Sequence, residues 1–236
     1  MQIPDRHLWL LPDSAAETFI ARTGGPALLD AAERERCERV LAPPERRRRL
    51  AARLLARHAL SSRSGRPLAS WRFRTAADGR PEPEPSPEHK LRFNLTHTDG
   101  LTACVVTDGG RACGVDAERS PAGPDAVAHL PRFFADRERT ELAAVPDSVR
   151  PGHVAAYWVL KEAYLKALGT GLRRDLSTIA FTGLTGGTIR LYDTGEPEPA
   201  RERWHFDLIH PGPGHVVAVA AEEGTPGGLV TTTLTH

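Results

Sequence analysis

The sequence predicts an α+β fold built from two similar subdomains, residues 1–108 and 109–236, the second ending in a mobile Gly/Thr-rich tail from about Gly224 to His236. Three observations predict it. Short strand-like segments come in runs and do not alternate one for one with helices. Each half offers one long helix together with several strands. The halves meet near Thr107 to Gly110, where Gly109-Gly110 supplies a turn. The chain of 236 residues is long enough for one large domain or two modest ones, each with a core.

The elements follow in order. Leu8 to Leu11 reads as a short strand. Asp30 through Leu41, with Leu29 just before it, has Leu29, Ala32, Cys37 and Leu41 at loosely helical spacing, and Pro43-Pro44 ends that helix. A second helix spans about Glu45 to Ser61, with Leu50, Leu54, Leu55 and Ala59 on one stripe. Trp71 to Arg74 alternates like a half-buried strand. Gly79 to Glu88, carrying Pro81, Pro83, Pro85 and Pro87, is expected to be a solvated loop unable to hold a ladder. Phe93 to His97, Leu101 to Thr107 and Arg111 to Glu118 are strands. Asp136 to Val145 and Val154 to Leu168 are helices. Ile179 to Thr182, Thr188 to Tyr192, His205 to Ile209 and Val216 to Ala221 are the later strands.

Composition removes several function classes. The net charge is +1, and the basic residues are almost all Arg, lysine occurring only at Lys90, Lys161 and Lys166. Arg46 to Arg49 form a basic run, but residues of a helix fan out by roughly 100° each, so most of that run is a solvated face. With no interleaved aromatics, nucleic-acid binding is not expected. Cys37, Cys104 and Cys113 have no CxxC spacing and read as small buried hydrophobes in a reduced, cytoplasmic protein. Leu8 to Leu11 is too short for a signal core, and no apolar run reaches the roughly 20 residues of a membrane span. Neither HExxH nor GxSxG occurs.

Two segments carry chemistry. In Cys113-Gly114-Val115-Asp116-Ala117-Glu118, alternation puts Asp116 and Glu118 on one face, with Cys113, Val115 and Ala117 turned to the core. Adjacent carboxylates repel, and a hard cation such as Mg²⁺ resolves the repulsion. A solvated strand end would show the same pattern. In Trp158 to Lys166, Glu162 and Lys166 share a helix face, either as a surface ion pair or as an acid and a cation placed for a metal and a phosphate. Gly169 and Gly171 end that helix.

Taken together, Gly114-Val115-Asp116-Ala117-Glu118 and Trp158-x-x-Lys161-Glu162-Ala163-x-x-Lys166 resemble the signature pair of 4′-phosphopantetheinyl transferases. Phe93 to Thr98 resembles the FNxSHS segment of the larger surfactin-synthetase activator (Sfp) type. Phe133-Phe134 through Glu138 resembles its FFxxxE segment, and Gly79-Arg80-Pro81 its GKP turn. The resemblance implies a monomer of two subdomains in pseudo-twofold arrangement, with coenzyme A and Mg²⁺ bound between them. It implies that Asp116, Glu118 and Glu162 hold the metal, that Glu162 or a water on it accepts the proton of a carrier serine, and that Lys166 steadies the pyrophosphate. It implies that His97 and Arg48 grip the 3′-phosphate, with Arg36 a looser candidate. Thr96, Arg80 and Lys161 stand among the coenzyme-binding positions, and Glu138 lies near the site. Acyl or peptidyl carrier domains would be the acceptors. Thr96 and Thr98 replace the usual serines, and Arg36 and Arg80 replace commoner lysines. A hydrolase cleaving coenzyme A with water, and a non-catalytic member that binds carriers, would use overlapping residues.

Overall fold

The computed structural model describes residues 5–76, 79–84, 90–224 and 227–235, leaving aside the side chains of 172, 199 and 200. In chain order the elements are β1 (Arg6–Pro12), α1 (Asp13–Thr23), α2 (Ala31–Glu38), α3 (Pro43–Ser64), β2 (Arg72–Thr75), β3 (Pro81–Glu84), β4 (Arg92–Thr98) and β5 (Leu101–Thr107). Then come β6 (Cys113–Arg119), α4 (Pro124–His129), α5 (Asp136–Ala144), α6 (Arg150–Leu168), β7 (Ile179–Thr182), β8 (Arg190–Asp193), α7 (Glu198–Glu202), β9 (Trp204–Ile209), β10 (His215–Glu222) and β11 (Leu229–Thr233). The fold is mixed α+β. It divides into two compact units, Met1–Arg111 with Leu229–His236, and Ala112–Gly228.

In the first unit the sheet runs β11-β1-β5-β4, with β11 parallel to β1 and the other pairs antiparallel. The 22-residue α3 lies across it, burying Ala51, Leu54, Leu55, Ala59 and Leu60 against Trp9, Leu11, Phe93, Cys104 and Val106. Pro43 and Pro44 open this helix, contrary to the reading that they only close the one before. Proline fits the first turn because the N–H it lacks has no partner there anyway. Gly65 ends α3 at φ 73°, its N–H on the Ser61 carbonyl at 2.8 Å. Helix α2 begins with a capping box, Glu33 N–H on Asp30 Oδ1 at 2.8 Å and Asp30 N–H on Glu33 Oε2 at 3.2 Å.

Two expectations about this unit are corrected. The Pro-rich segment is not wholly a loop: Pro81–Glu84 pairs antiparallel with Arg72–Thr75. Pro81 and Pro83 alternate, so both missing N–H groups fall on the edge away from β2, while Glu82 and Glu84 face the ladder. Residues 85–89, the rest of the predicted loop, lie outside the described residues. Part of the expected mobile tail is also not loose, because Leu229 to Thr233 form β11 on the edge of β1.

In the second unit, α6 crosses a β6-β10-β9 sheet, and β7 pairs with β8. Tyr164 fixes the helix on one side. Its ring meets Phe181, Trp204 and Phe206 edge-on, with centroids 5.1–6.5 Å away, and its hydroxyl donates to Asp193 Oδ2 at 2.9 Å. Gly169, at φ 74°, stops α6 as its position in the sequence predicts. No helix among the described residues is long and apolar enough to cross a membrane. Cys37, Cys104 and Cys113 are buried and in no disulfide.

Candidate active site

The first cluster belongs to the second unit and rests on one close approach. A side chain at Gly114 would put its Cβ 2.0 Å from the Ala163 carbonyl oxygen and 2.6 Å from the Ala167 nitrogen. Glycine on the strand and alanines on the helix therefore let backbone meet backbone. That sets the faces: Gly114, Asp116 and Glu118 look toward α6, opposite Ala220, Ala218 and Val216 of β10, which belong to the core. Cys113, Val115 and Ala117 are buried as expected, but the face bearing Asp116 and Glu118 is not the solvent side. The carboxylates share the helix-packed face, and strand residues from Cys113 to Ala117 are buried on both sides.

On α6, Glu162 and Lys166 flank Ala163, and Lys166 reaches the strand. Lys166 Nζ donates to Asp116 Oδ1 at 2.6 Å and to the Val115 carbonyl at 3.1 Å. Glu162 Oε1 is buried without a hydrogen-bond partner. Burial pushes the Glu162 carboxyl above its usual range, and Asp116 and Glu118 push it further while Lys166 opposes them. Glu162 thus feels the charge of both other acids. They do not form a preassembled cage: among the described residues no three His, Cys, Asp or Glu side chains stand ready to hold a metal. Lys166 acts as the counter-charge to Asp116 in their place. The donor chemistry still suits a hard divalent cation. A buried carboxylate oxygen without a partner, beside two further carboxylates, is what oxygen coordination would satisfy.

Lys161 does not belong with the coenzyme-contacting residues. Its side chain is 0% exposed, and its ammonium sits 2.8 Å from Glu138 Oε2, 3.0 Å from the Leu176 carbonyl and against the Ile179 carbonyl. The expectation is corrected because Lys161 and Glu162, adjacent on α6, point about 100° apart. Glu138, equally buried, also accepts from Ala135 N–H at 3.0 Å and Phe181 N–H at 2.9 Å. It ties α5, α6 and β7 together and does not itself face an open site.

The second cluster lies in the first unit. His97 projects from β4 and Arg48 from the first turns of α3, and Glu45 joins them. His97 Nε2 lies 3.0 Å from Glu45 Oε1, and Arg48 Nη1 lies 3.7 Å from Glu45 Oε2. Arg48 Nε donates to Asp13 Oδ2 at 2.7 Å, and its Nη2 meets Asp99. The hydrogen bond from His97 lowers the Glu45 pKa. The structure therefore brings His97 and Arg48 together and adds three acids that sequence reasoning missed. Asp13 and Asp99 come from α1 and the β4–β5 turn, so no local motif announces them, whereas Glu45 stands one helical turn before Arg48 and Arg49 on α3 and could have been found by that spacing.

The other expected positions are more scattered. Thr96 is buried on the sheet face opposite His97, as strand alternation requires. Arg36 is exposed on α2, where its charge is felt by Cys37 and Arg53, more than a helical turn along α3 from Arg48. Arg80 is half-buried where the β2–β3 hairpin turns, its carbonyl accepting from Ala76 N–H at 2.8 Å.

A strand and a helix packed together at a glycine, with paired acids and a lysine on the shared face, make up the candidate site. Residues 112–220 match the 4′-phosphopantetheinyl transferase superfamily. HetI, a 4′-phosphopantetheinyl transferase of Nostoc sp., is 32% identical over 169 residues, covering 71% of this chain and 70% of that one. The 4′-phosphopantetheinyl transferase Sfp of Bacillus subtilis is 24% identical over 193 residues, covering 80% of each. Among solved structures, the holo-[acyl-carrier-protein] synthase of Thermotoga maritima aligns with a TM-score of 0.39 and 23% identity, over 48% of this chain and 64% of that one. This chain belongs to the 4′-phosphopantetheinyl transferase superfamily.

Proposed function

We propose that this enzyme transfers the 4′-phosphopantetheine moiety of coenzyme A to a serine hydroxyl of an apo acyl or peptidyl carrier domain, releasing 3′,5′-ADP, and that it is of the Sfp type. Family membership supports the reaction. The single observation that carries the assignment of the centre is Glu162, a carboxylate with a buried, unbonded oxygen and a raised pKa beside Asp116, Glu118 and Lys166. The Sfp type is supported by the ordered segments Gly79 to Pro81, Phe93 to Thr98 and Phe133 to Glu138, which lie outside the signature pair.

In this reading Asp116, Glu118 and Glu162 would hold Mg²⁺. When bound, that ion neutralises charge on the pyrophosphate and its leaving group. Glu162 takes the serine proton directly or through a water. Lys166 is poised to exchange its hold on Asp116 for the pyrophosphate. Arg48 and His97 hold the 3′-phosphate. Arg36, Arg80 and Thr96 are coenzyme contacts in the same reading.

The test is incubation with coenzyme A, Mg²⁺ and an apo carrier domain, followed by intact mass. Gain of phosphopantetheine on the carrier is the expected result. Nucleotide release that needs no carrier would favour a hydrolase instead. Replacing Glu162 by Gln should lower transfer by about 10²–10⁴-fold with the fold intact. Near-normal turnover would remove Glu162 from the chemistry.

A further inference from the structure

Arg48 and His97 already hold an anion of the protein's own. Glu45 Oε1 is 3.0 Å from His97 Nε2 and 3.4 Å from Arg49 Nε, and Glu45 Oε2 is 3.7 Å from Arg48 Nη1. Asp13 and Asp99 take the other edges of the Arg48 guanidinium. Three carboxylates therefore balance Arg48 and Arg49. A dianionic phosphate cannot approach the pair until one carboxylate withdraws, since like charges at contact repel strongly where solvent is partly excluded.

Glu45 is the acid placed to withdraw. Among the three partners of Arg48 it makes the longest contact, and it alone also occupies the histidine. It sits in the first turn of α3, where a negative charge is favoured by the helix dipole. The same turn begins Pro43-Pro44, which have no N–H to offer, so the end of the helix supplies few donors of its own to an incoming phosphate. Capture must come from the side chains that Glu45 covers.

We infer that Glu45 is a specificity-determining residue: a resident anion standing where the 3′-phosphate of the donor nucleotide would bind, displaced by that phosphate. The inference rests on the reading of Arg48 and His97 as the 3′-phosphate contacts. Its consequence concerns selectivity. A donor that ends in a 3′-hydroxyl leaves Glu45 in place and can donate to it, so such a donor is tolerated. A donor with a 3′-phosphate gains Arg48 and His97 only after moving Glu45. Removing the charge at this position should therefore widen the preference for coenzyme A over dephospho-coenzyme A.

The experiment is calorimetric binding of coenzyme A and of dephospho-coenzyme A to wild type, Glu45→Gln, Glu45→Asp and His97→Ala, with thermal melts confirming that each variant folds. Glu45→Gln is expected to raise the affinity ratio by about tenfold, the value of one charge-assisted contact. The gain should come from tighter coenzyme A binding, with Glu45→Asp intermediate. An unchanged ratio in Glu45→Gln, while His97→Ala collapses the wild-type ratio, overturns the role of Glu45 alone. A wild type that binds both donors equally, with no effect of His97→Ala, overturns the 3′-phosphate assignment and this inference with it.

Discussion

At the scale of single residues, the buried pair Lys161–Glu138 separates structure from chemistry within one signature. Burial pushes the Glu138 carboxyl up and the Lys161 ammonium down, and each is opposed by the other's charge. Two carbonyls and two backbone N–H groups complete their hydrogen bonds. Removing one partner leaves a buried charge unanswered, so Lys161→Met should cost about 3–5 kcal/mol in urea unfolding. The double variant Lys161→Met with Glu138→Leu should regain most of that, because an apolar pair of similar volume needs no charge balance. A double variant as unstable as the single one would show that the pair does more than cancel itself. The first unit repeats the device in Arg57–Glu33, 2.5 Å apart and almost wholly buried. Arg57 stood in the sequence as one of many arginines, with nothing local to distinguish it.

At the scale of elements, the contact between β6 and α6 decides where the acids go. Gly114→Ala would drive a methyl into the Ala163 carbonyl, and neither backbone can yield without moving the other element. The expected cost is about 3 kcal/mol or more in chemical denaturation, with loss of transfer activity even in the folded fraction, because Asp116 and Glu162 would separate. A Gly114→Ala protein of normal stability and turnover would contradict this placement. Legibility followed the same physics. Short strand-like runs with Gly109-Gly110 as a turn showed β4, β5 and β6, and helical spacing with Gly169 showed α6. The face of β6 did not follow, because a strand buried on both sides has no polar side to orient it. Helix α1, Asp13 to Thr23, went unread: of its three buried residues Ala15 and Ala16 are small, which leaves Phe19 without a strong stripe. Strand β3 was hidden by its prolines. The Arg48–Glu45–His97 cluster could be read only in part, since contact between distant segments is a property of the fold.

At the scale of the whole molecule, the chain leaves the first unit after Arg111 and returns to it at Leu229, so the last strand of one sheet waits for the entire second unit. That strand is short, but it covers the edge of β1 that would otherwise offer unpaired backbone groups to a neighbour. It also closes over His7, whose Nε2 lies 2.7 Å from Thr232 Oγ1 and whose ring stacks on Trp9. Burial, aided by the Arg63 charge, lowers the His7 pKa to about 4. A base whose folded pKa is depressed contributes stability that is present above its unfolded value, about 6.5. That contribution is lost as pH falls from there toward 4. Ending the chain at Gly228 should therefore do three things together. The melting temperature should fall by a few degrees, and hydrogen exchange should quicken in β1 and β5 while β6 and β10 keep their protection. The acid loss of stability between pH 6.5 and 4 should also shrink, because His7 no longer lies under β11. Unchanged exchange in β1, or an acid limb as steep as that of the full chain, would show that the C-terminal strand does not complete the first sheet in solution.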